Sequence, residues 1–294
     1  MYELIQAGER TYYLECPAKI GLYRLNDQDV CLIDSGNDKD AGRKVLKILD
    51  EKGWHLQCIL NTHSNADHIG GNHFLQQRTG CKIFAQGLER AFTEYPYLEP
   101  SFLYGGYPCA DLRHKFLLAK ASETLPLEDS GFPPAIQTIN LPGHFFHMVG
   151  FRTPDNVVFL ADCLTDAQVL AKYHIFFIYD VAAFLDTLSL VENLEAKLFV
   201  PSHAPATQDI TKLVAANRAK VGEIAATILN ITATPLSFED ILKGIFDHYA
   251  LNLNFEQYVL VGSTIRSYLA WLKDQGRVKV EFADNRLLWQ GVTE

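Results

Sequence analysis

The sequence predicts an α/β protein in two parts. A layered α/β unit occupies residues 1–208, and a small unit of three helices and a β-hairpin occupies residues 209–294. Three observations carry this. Strand-like and helix-like stretches alternate up to residue 203, the pattern of sheets covered by helices. After "APATQD" that alternation gives way to consecutive helices. A length of 294 residues, with 48% apolar and 21% charged residues, is ordinary globular composition and allows two compact units.

The elements follow in order. "TYYLE", "IGLYRL" and "VCLIDSG" are rich in β-branched and aromatic residues and are punctuated by Gly, Asn and Asp, so they read as strands. "KDAGRKVLKILDEKG" places Val45, Leu46, Ile48 and Leu49 at helical spacing and stops at Gly53. "LQCILNTH" is a short buried strand, "GGNHFLQQRTG" a helix and "CKIFAQ" another strand. Residues 88–134 break the rhythm with Phe92, Tyr95, Tyr97, Phe102, Tyr104 and Tyr107 among Pro and Gly. This aromatic insertion is either a helical segment packed on the domain or a wall of a substrate pocket. Strands return in "AIQTINL", "MVGFRT" and "VVFLADCL", then a helix around "VAAFLDTLSLVENL" and a last strand "KLFVPSH". Beyond 208, "ITKLVAANRAKVGEIAATIL" is a helix and a second opens on a Ser237-x-x-Asp240 capping box. A third, "TIRSYLAWLKDQ", stops at Gly276, and "RVKVEF-ADN-RLLWQ" is a hairpin.

Bulk properties exclude some roles. No apolar run is long enough to cross a membrane, and "MYELIQAGERTYYLE" lacks the basic and apolar regions of an export signal, so a cytoplasmic location is expected. Six scattered cysteines without a C-x-x-C pair read as reduced, mostly buried thiols. A net charge of −9 argues against binding nucleic acid through bulk electrostatics.

The residues that carry chemistry begin in "NTHSNADHIGG", where His63, Asn65, Asp67 and His68 fall within six residues after a strand. A loop leaving a strand lets such side chains converge. Gly70 and Gly71 are expected to let the next helix start close by, with its N-terminal amides facing the same point. A catalytic zinc site needs N and O ligands with one open position, and one loop cannot complete it. Three further candidates stand after apolar strands: His144 in "INLPGHFF", Asp162 in "VVFLADCL" and His203 in "LFVPSHAP".

These motifs resemble the metallo-β-lactamase fold superfamily. Its signature T-H-x-H-x-D-H-x-G-G, then P-G-H, G/A-D and a terminal S/G-H stand here in order as "THSNADHIGG", "LPGHFFHMVGF", "FLADCL" and "VPSHAP". "LIDSG" around Asp34 matches the early strand and turn, and the resemblance covers about residues 10–208. It implies a four-layer αβ/βα sandwich with a metal site at the strand ends. It further implies a first site of His63, position 65 and His144, a second of Asp67, His68 and His203, and Asp162 bridging them. Zinc, as one or two ions, is the implied cofactor.

Asn65 departs from the family pattern, which has histidine there. Its amide oxygen is a harder, poorer zinc ligand than an imidazole, and iron or manganese would tolerate it better. Three outcomes are open: weak ligation through oxygen, a hydrogen bond to water at the metal, or an empty first site. The second site keeps its full ligand set and is expected to be the tighter. His147, in "GHFFH", is expected to be a supporting or surface residue rather than a ligand.

The resemblance implies hydrolysis by water activated at the metal, with Asp67 orienting that water and passing a proton to the leaving group. The bridging position is Asp162, where many true β-lactamases have cysteine, so antibiotic hydrolysis is not the expected native role. The expected substrate is a small ester, thioester or lactone. Alternatives are a phosphodiesterase or ribonuclease of the same fold, and a metal-binding member with little turnover because Asn65 replaces a ligand. Residues 209–294 resemble a winged-helix unit, carried by some members of the superfamily. Nine Lys and Arg against ten Asp and Glu leave it at −1, and Ile265, Tyr268, Leu269 and Leu272 have core-facing spacing. Packing against the hydrolase or supporting a homodimer is expected ahead of nucleic-acid contact.

Overall fold

The structure, a computed structural model, describes residues 2–292. The chain runs β1 (Glu3–Gln6), β2 (Thr11–Glu15), β3 (Ile20–Arg24), β4 (Asp29–Ile33), α1 (Lys39–Lys52), β5 (His55–Leu60), α2 (Ala66–Ile69), α3 (Asn72–Thr79) and β6 (Lys82–Ala85). The insertion follows as α4 (Gly87–Glu94) and α5 (Leu98–Tyr104), and β7 (Leu125–Pro126) closes it. Next come β8 (Gln137–Asn140), β9 (Val149–Arg152), β10 (Val157–Thr165), α6 (Ala167–Tyr173), α7 (Val181–Glu192) and β11 (Leu198–His203). The chain ends in α8 (Thr211–Ile231), α9 (Phe238–His248), α10 (Phe255–Asp274), β12 (Val278–Ala283) and β13 (Arg286–Gly291).

Strands β1 to β7 form one sheet in chain order, antiparallel up to β4 and parallel from there. A second sheet runs β11-β10-β9-β8, with β10 and β11 parallel. Alternation along each strand sorts side chains between two faces. In β4, Cys31 and Ile33 turn inward to meet Phe151, Val157 and Phe159 of the other sheet, while Val30 and Leu32 turn outward onto Val45 and Leu49 of α1. In β10, Val158 and Leu160 turn outward to meet Phe184 and Leu188 of α7 and Val214 of α8. Two sheets face each other with helices outside both, which is the four-layer sandwich.

The three helices and the hairpin after residue 208 are present, and Leu236 makes a single antiparallel bridge to Trp289 of β13. One hydrophobic cluster runs from β10 and α7 through α8 into α9 and α10, with Ile241, Ile265, Tyr268 and Leu269 buried in it. The stripe read at 265–272 is therefore core. Helix α10 starts at Phe255, nine residues before the expected Thr264, because Asn254 caps it by accepting from Gln257 N at 2.8 Å. All six cysteines are unpaired, and five are buried. Among the described residues no helix is long and apolar enough to cross a membrane.

Candidate metal centre

The loop from β5 into α2 is shaped by one buried carboxylate. Asp34, at φ 63 just past β4, accepts from Thr62 N at 2.8 Å and from Thr62 Oγ1 at 2.7 Å, and faces His68 Nδ1 at 2.8 Å. A carboxylate can only accept here, so His68 donates through Nδ1 and turns Nε2 inward, 3.1 Å from Asp162. The Thr62 hydroxyl proton is already committed to Asp34. His63 Nδ1, 2.9 Å from Thr62 Oγ1, must therefore be the donor, and its Nε2 is left bare. Asp34 thereby sets both imidazoles.

The other two histidines are tied the same way. His144 Nδ1 donates to Phe177 O at 2.9 Å and His203 Nδ1 to Pro17 O at 3.0 Å. Four imidazoles from three separate strand ends thus keep their outward nitrogens occupied and direct Nε2 to one place, the arrangement by which outer partners orient metal-binding histidines. Asp162 sits at its centre. Its carboxyl lies 3.1 Å from His68 Nε2, 3.1 Å from His203 Nε2, 3.8 Å from His144 Nε2 and 4.0 Å from His63 Nε2. It is aimed there by an irregularity in β10: the register against β11 shifts on both sides of Ala161, which stands at φ 51. Asp67, on the first turn of α2, reaches His203 Nε2 at 3.2 Å and His68 Nε2 at 3.6 Å.

The structure thus brings all seven residues singled out in the sequence to one place. Asp67, His68, Asp162 and His203 form one group able to hold a metal, and His63, His144 and Asp162 another. Asn65 borders the second group, its Oδ1 3.1 Å from His144 Nε2 and its Nδ2 donating to Glu99 Oε1 at 2.7 Å. His63 Nε2, His68 Nε2 and Asp162 Oδ1 are buried without a hydrogen-bond partner. Buried polar atoms are seldom left so, and divalent cations among them would satisfy all three. The residues fit such ions.

Charge divides the four imidazoles into two pairs, His63 with His144 and His68 with His203. Burial pushes His63 and His144 below the usual imidazole range, leaving them neutral donors of a lone pair. Burial opposes charge on His203 too, but Asp162 and Asp67 outweigh it and raise it to about 10. Burial also works against Asp162 and Asp67 as anions, yet His203 and His68 beside them hold both carboxyls low. Two ionised carboxylates call for positive charge here, which His68 and His203 carry as imidazoliums and which a divalent cation would supply in exchange for their Nε2 protons.

Some features were not legible in the sequence. Glu89 and Glu99 of the insertion grip the loop from behind: Glu89 Oε2 accepts from Ser64 N at 3.0 Å and from Ser64 Oγ at 2.6 Å, while its Oε1 accepts from His147 N at 2.7 Å. The available signal was Glu89 at helical spacing with Phe92 and Thr93, a charge on the buried face of α4. His147 caps the same helix, its Nδ1 accepting from Leu88 N at 3.1 Å, and lies outside both metal-holding groups. The double glycine serves backbone packing: a Cβ on Gly71 would lie 2.3 Å from Ser35 O, and one on Gly70 2.3 Å from Asn37. These glycines seat α2 and α3 against the turn after β4, and no anion-binding helix end is needed to explain them.

A 680 Å³ cavity opens onto His144, Asp162 and His203. One side is Val169, Tyr173, Phe176 and Phe177 and the other Glu15, Cys16, Pro17 and Lys19, with nothing from 88–134. The reading of the insertion as a pocket wall does not hold for this cavity. Its Phe92 and Phe102 pack instead on Phe145 and Phe146 beside the P-G-H turn.

Residues 14–203 match the family model described as the metallo-beta-lactamase superfamily. The chain belongs to that superfamily. Among curated relatives, a hydroxyacylglutathione hydrolase of Methylococcus capsulatus is 46% identical over 53 residues, 18% of this chain and 21% of that protein. One of Rhizobium meliloti is 28% identical over 128 residues, 43% of this chain and 41% of that protein. The chain thus spans less than half the length of these relatives. Among solved structures, a beta-lactamase domain protein from Burkholderia ambifaria superposes with a TM-score of 0.75 at 15% identity, covering 99% of this chain and 94% of that one. A metallo-beta-lactamase family protein from Thermus thermophilus gives 0.69 at 17% identity, covering 96% and 99%. At those identities the likeness is one of fold, and it includes the C-terminal helices of this metallo-β-lactamase superfamily member.

Proposed function

We propose that the chain is a metal-dependent hydrolase of a small ester, thioester or lactone. In this reading His63, Asn65 and His144 hold one divalent cation, Asp67, His68 and His203 a second, and Asp162 is shared. The observation that carries it is the set of four imidazoles, each tied through Nδ1 and turning Nε2 inward, around one central carboxylate. The N and O donor set favours zinc, and the amide oxygen of Asn65 leaves iron or manganese open.

Such ions supply a water that is nucleophilic at neutral pH and polarise the oxygen under attack. The chain does the rest. Asp67, the more exposed of the two central carboxylates, accepts a hydrogen bond from the water, orients it and carries a proton to the leaving group. The wall of Val169, Tyr173, Phe176 and Phe177 takes an apolar arm of the substrate. Lys19, held by Ala204 O at 2.8 Å and Glu15 at 3.2 Å, braces the opposite side. Curated relatives named hydroxyacylglutathione hydrolase support hydrolysis as the reaction class. Residues 209–294, with a net charge of −1, serve as a packed support for the sandwich in this reading, with no role in nucleic-acid binding.

The test is a panel of chromogenic thioesters, esters, lactones and phosphodiesters offered to zinc-loaded protein. Turnover of an acyl substrate, abolished by chelation and restored by zinc, is expected. Turnover of phosphodiesters alone, or of nothing, would overturn the reading.

A further inference from the structure

We infer that Glu99 is a positioning residue that aims the amide oxygen of Asn65 into the first cation site. The inference rests on the proposed metal centre and explains how an amide serves where the superfamily has histidine. Asn65 Nδ2 donates to Glu99 Oε1 at 2.7 Å, and Glu99 is buried. An amide has two unlike faces, and one that gives its N–H to a carboxylate must turn its oxygen the other way. That oxygen lies 3.1 Å from His144 Nε2, whose own proton sits on Nδ1 and is given to Phe177 O.

Two lone pairs thus face each other, which is repulsive unless a cation accepts both. Two donors each about 2.1 Å from one zinc lie roughly 3.0–3.4 Å apart, so the observed separation suits ligands of a common ion. Without Glu99 the amide is free to turn over. Its N–H would then donate to His144 Nε2, a sound hydrogen bond that occupies the lone pair the cation needs. Glu99 disfavours that arrangement, because turning the amide over would set its oxygen against the Oε1 that now accepts from Nδ2. It rides on α5, which Phe102 anchors against Phe145, Phe146 and Tyr179, while Glu89 holds the neighbouring Ser64 from α4. The aromatic insertion is thus the frame of the metal loop.

Equilibrium dialysis against zinc tests this on the full chain. Wild type is expected to bind two equivalents. Glu99→Leu should weaken one of them roughly 10–100-fold, the usual effect of removing an outer partner, and leave the other unchanged. The double variant Asn65→Asp with Glu99→Leu should restore the weakened equivalent, because a carboxylate offers oxygen whichever way it turns. A merely structural role for Glu99 would not be rescued in this way. If folded Glu99→Leu binds both equivalents as wild type does, or if the double variant restores nothing, the inference falls while the metal centre stands. If wild type binds no zinc, the centre itself falls and takes the inference with it. Should a thermal melt show Glu99→Leu unfolded, the wild type carries the test. Zinc should shift the 15N side-chain amide signal that Asn65→Asp removes, and a signal indifferent to zinc overturns the inference.

Discussion

Asp34 lies outside both metal-holding groups, yet it decides which nitrogen two of the histidines turn inward. Asp34→Asn would place an amide N–H against one of the three donors it now satisfies and unsettle both His63 and His68. A drop of roughly 10–100-fold in zinc affinity is expected by dialysis, with the protein still folded. Glu89 makes a second residue-level case. Its carboxyl is fully buried, and burial pushes it up to about 7 even though Ser64 and His147 donate to it. The native state therefore holds a proton that the unfolded state has released between its ordinary pKa and about 7, so Glu89 costs stability as pH rises through that window. The unfolding free energy of wild type minus that of Glu89→Gln should fall by up to roughly 3 kcal/mol between pH 4.5 and 7.5. Denaturant titrations of both proteins at several pH values measure it, and a flat difference would contradict the burial argument.

Among elements, those with a strong local pattern were legible in the sequence: the strands from β2 to β6, α1 with its stop at Gly53, and the strand ends carrying His144, Asp162 and His203. What escaped was decided by contacts distant along the chain. Glu99 meets Asn65 across 34 residues, and neither periodicity nor motif marks such a pair. The edge strand β1 is half exposed and weakly patterned, and α6, only seven residues long, is identified as a pocket wall only by its place beside His203. Gly70 and Gly71 were recognised, but their reason is a backbone approach that only the folded chain shows. Gly71→Ala should push α2 and α3 away from Ser35, lower stability by about 1–3 kcal/mol and weaken zinc binding by displacing His68. Thermal melts with and without zinc would check it, and a variant as stable as wild type would show that the turn yields freely.

At the scale of the whole molecule, the division near residue 208 meets a core that crosses it. Val214, Val221, Ile224 and Ile228 of α8 lie in the same cluster as Val158 and Leu160 of β10, and Ile241, Ile265 and Leu269 extend it. Ending the chain at 208 would expose the outer face of the second sheet and α7, a patch far larger than folded monomers tolerate. The truncated protein is expected to be insoluble or to lose cooperative unfolding. A soluble 1–208 fragment that melts cooperatively and binds zinc would make the C-terminal helices an appendage.

The centre itself is tested most directly by measuring bound zinc in wild type and in Asp162→Asn after dialysis against the same free zinc concentration. Asp162 is the one residue common to both metal-holding groups, so wild type should retain two equivalents and the variant should lose affinity at both. Zinc retained equally by both proteins, or by neither, would contradict the assignment of these seven side chains to one metal centre.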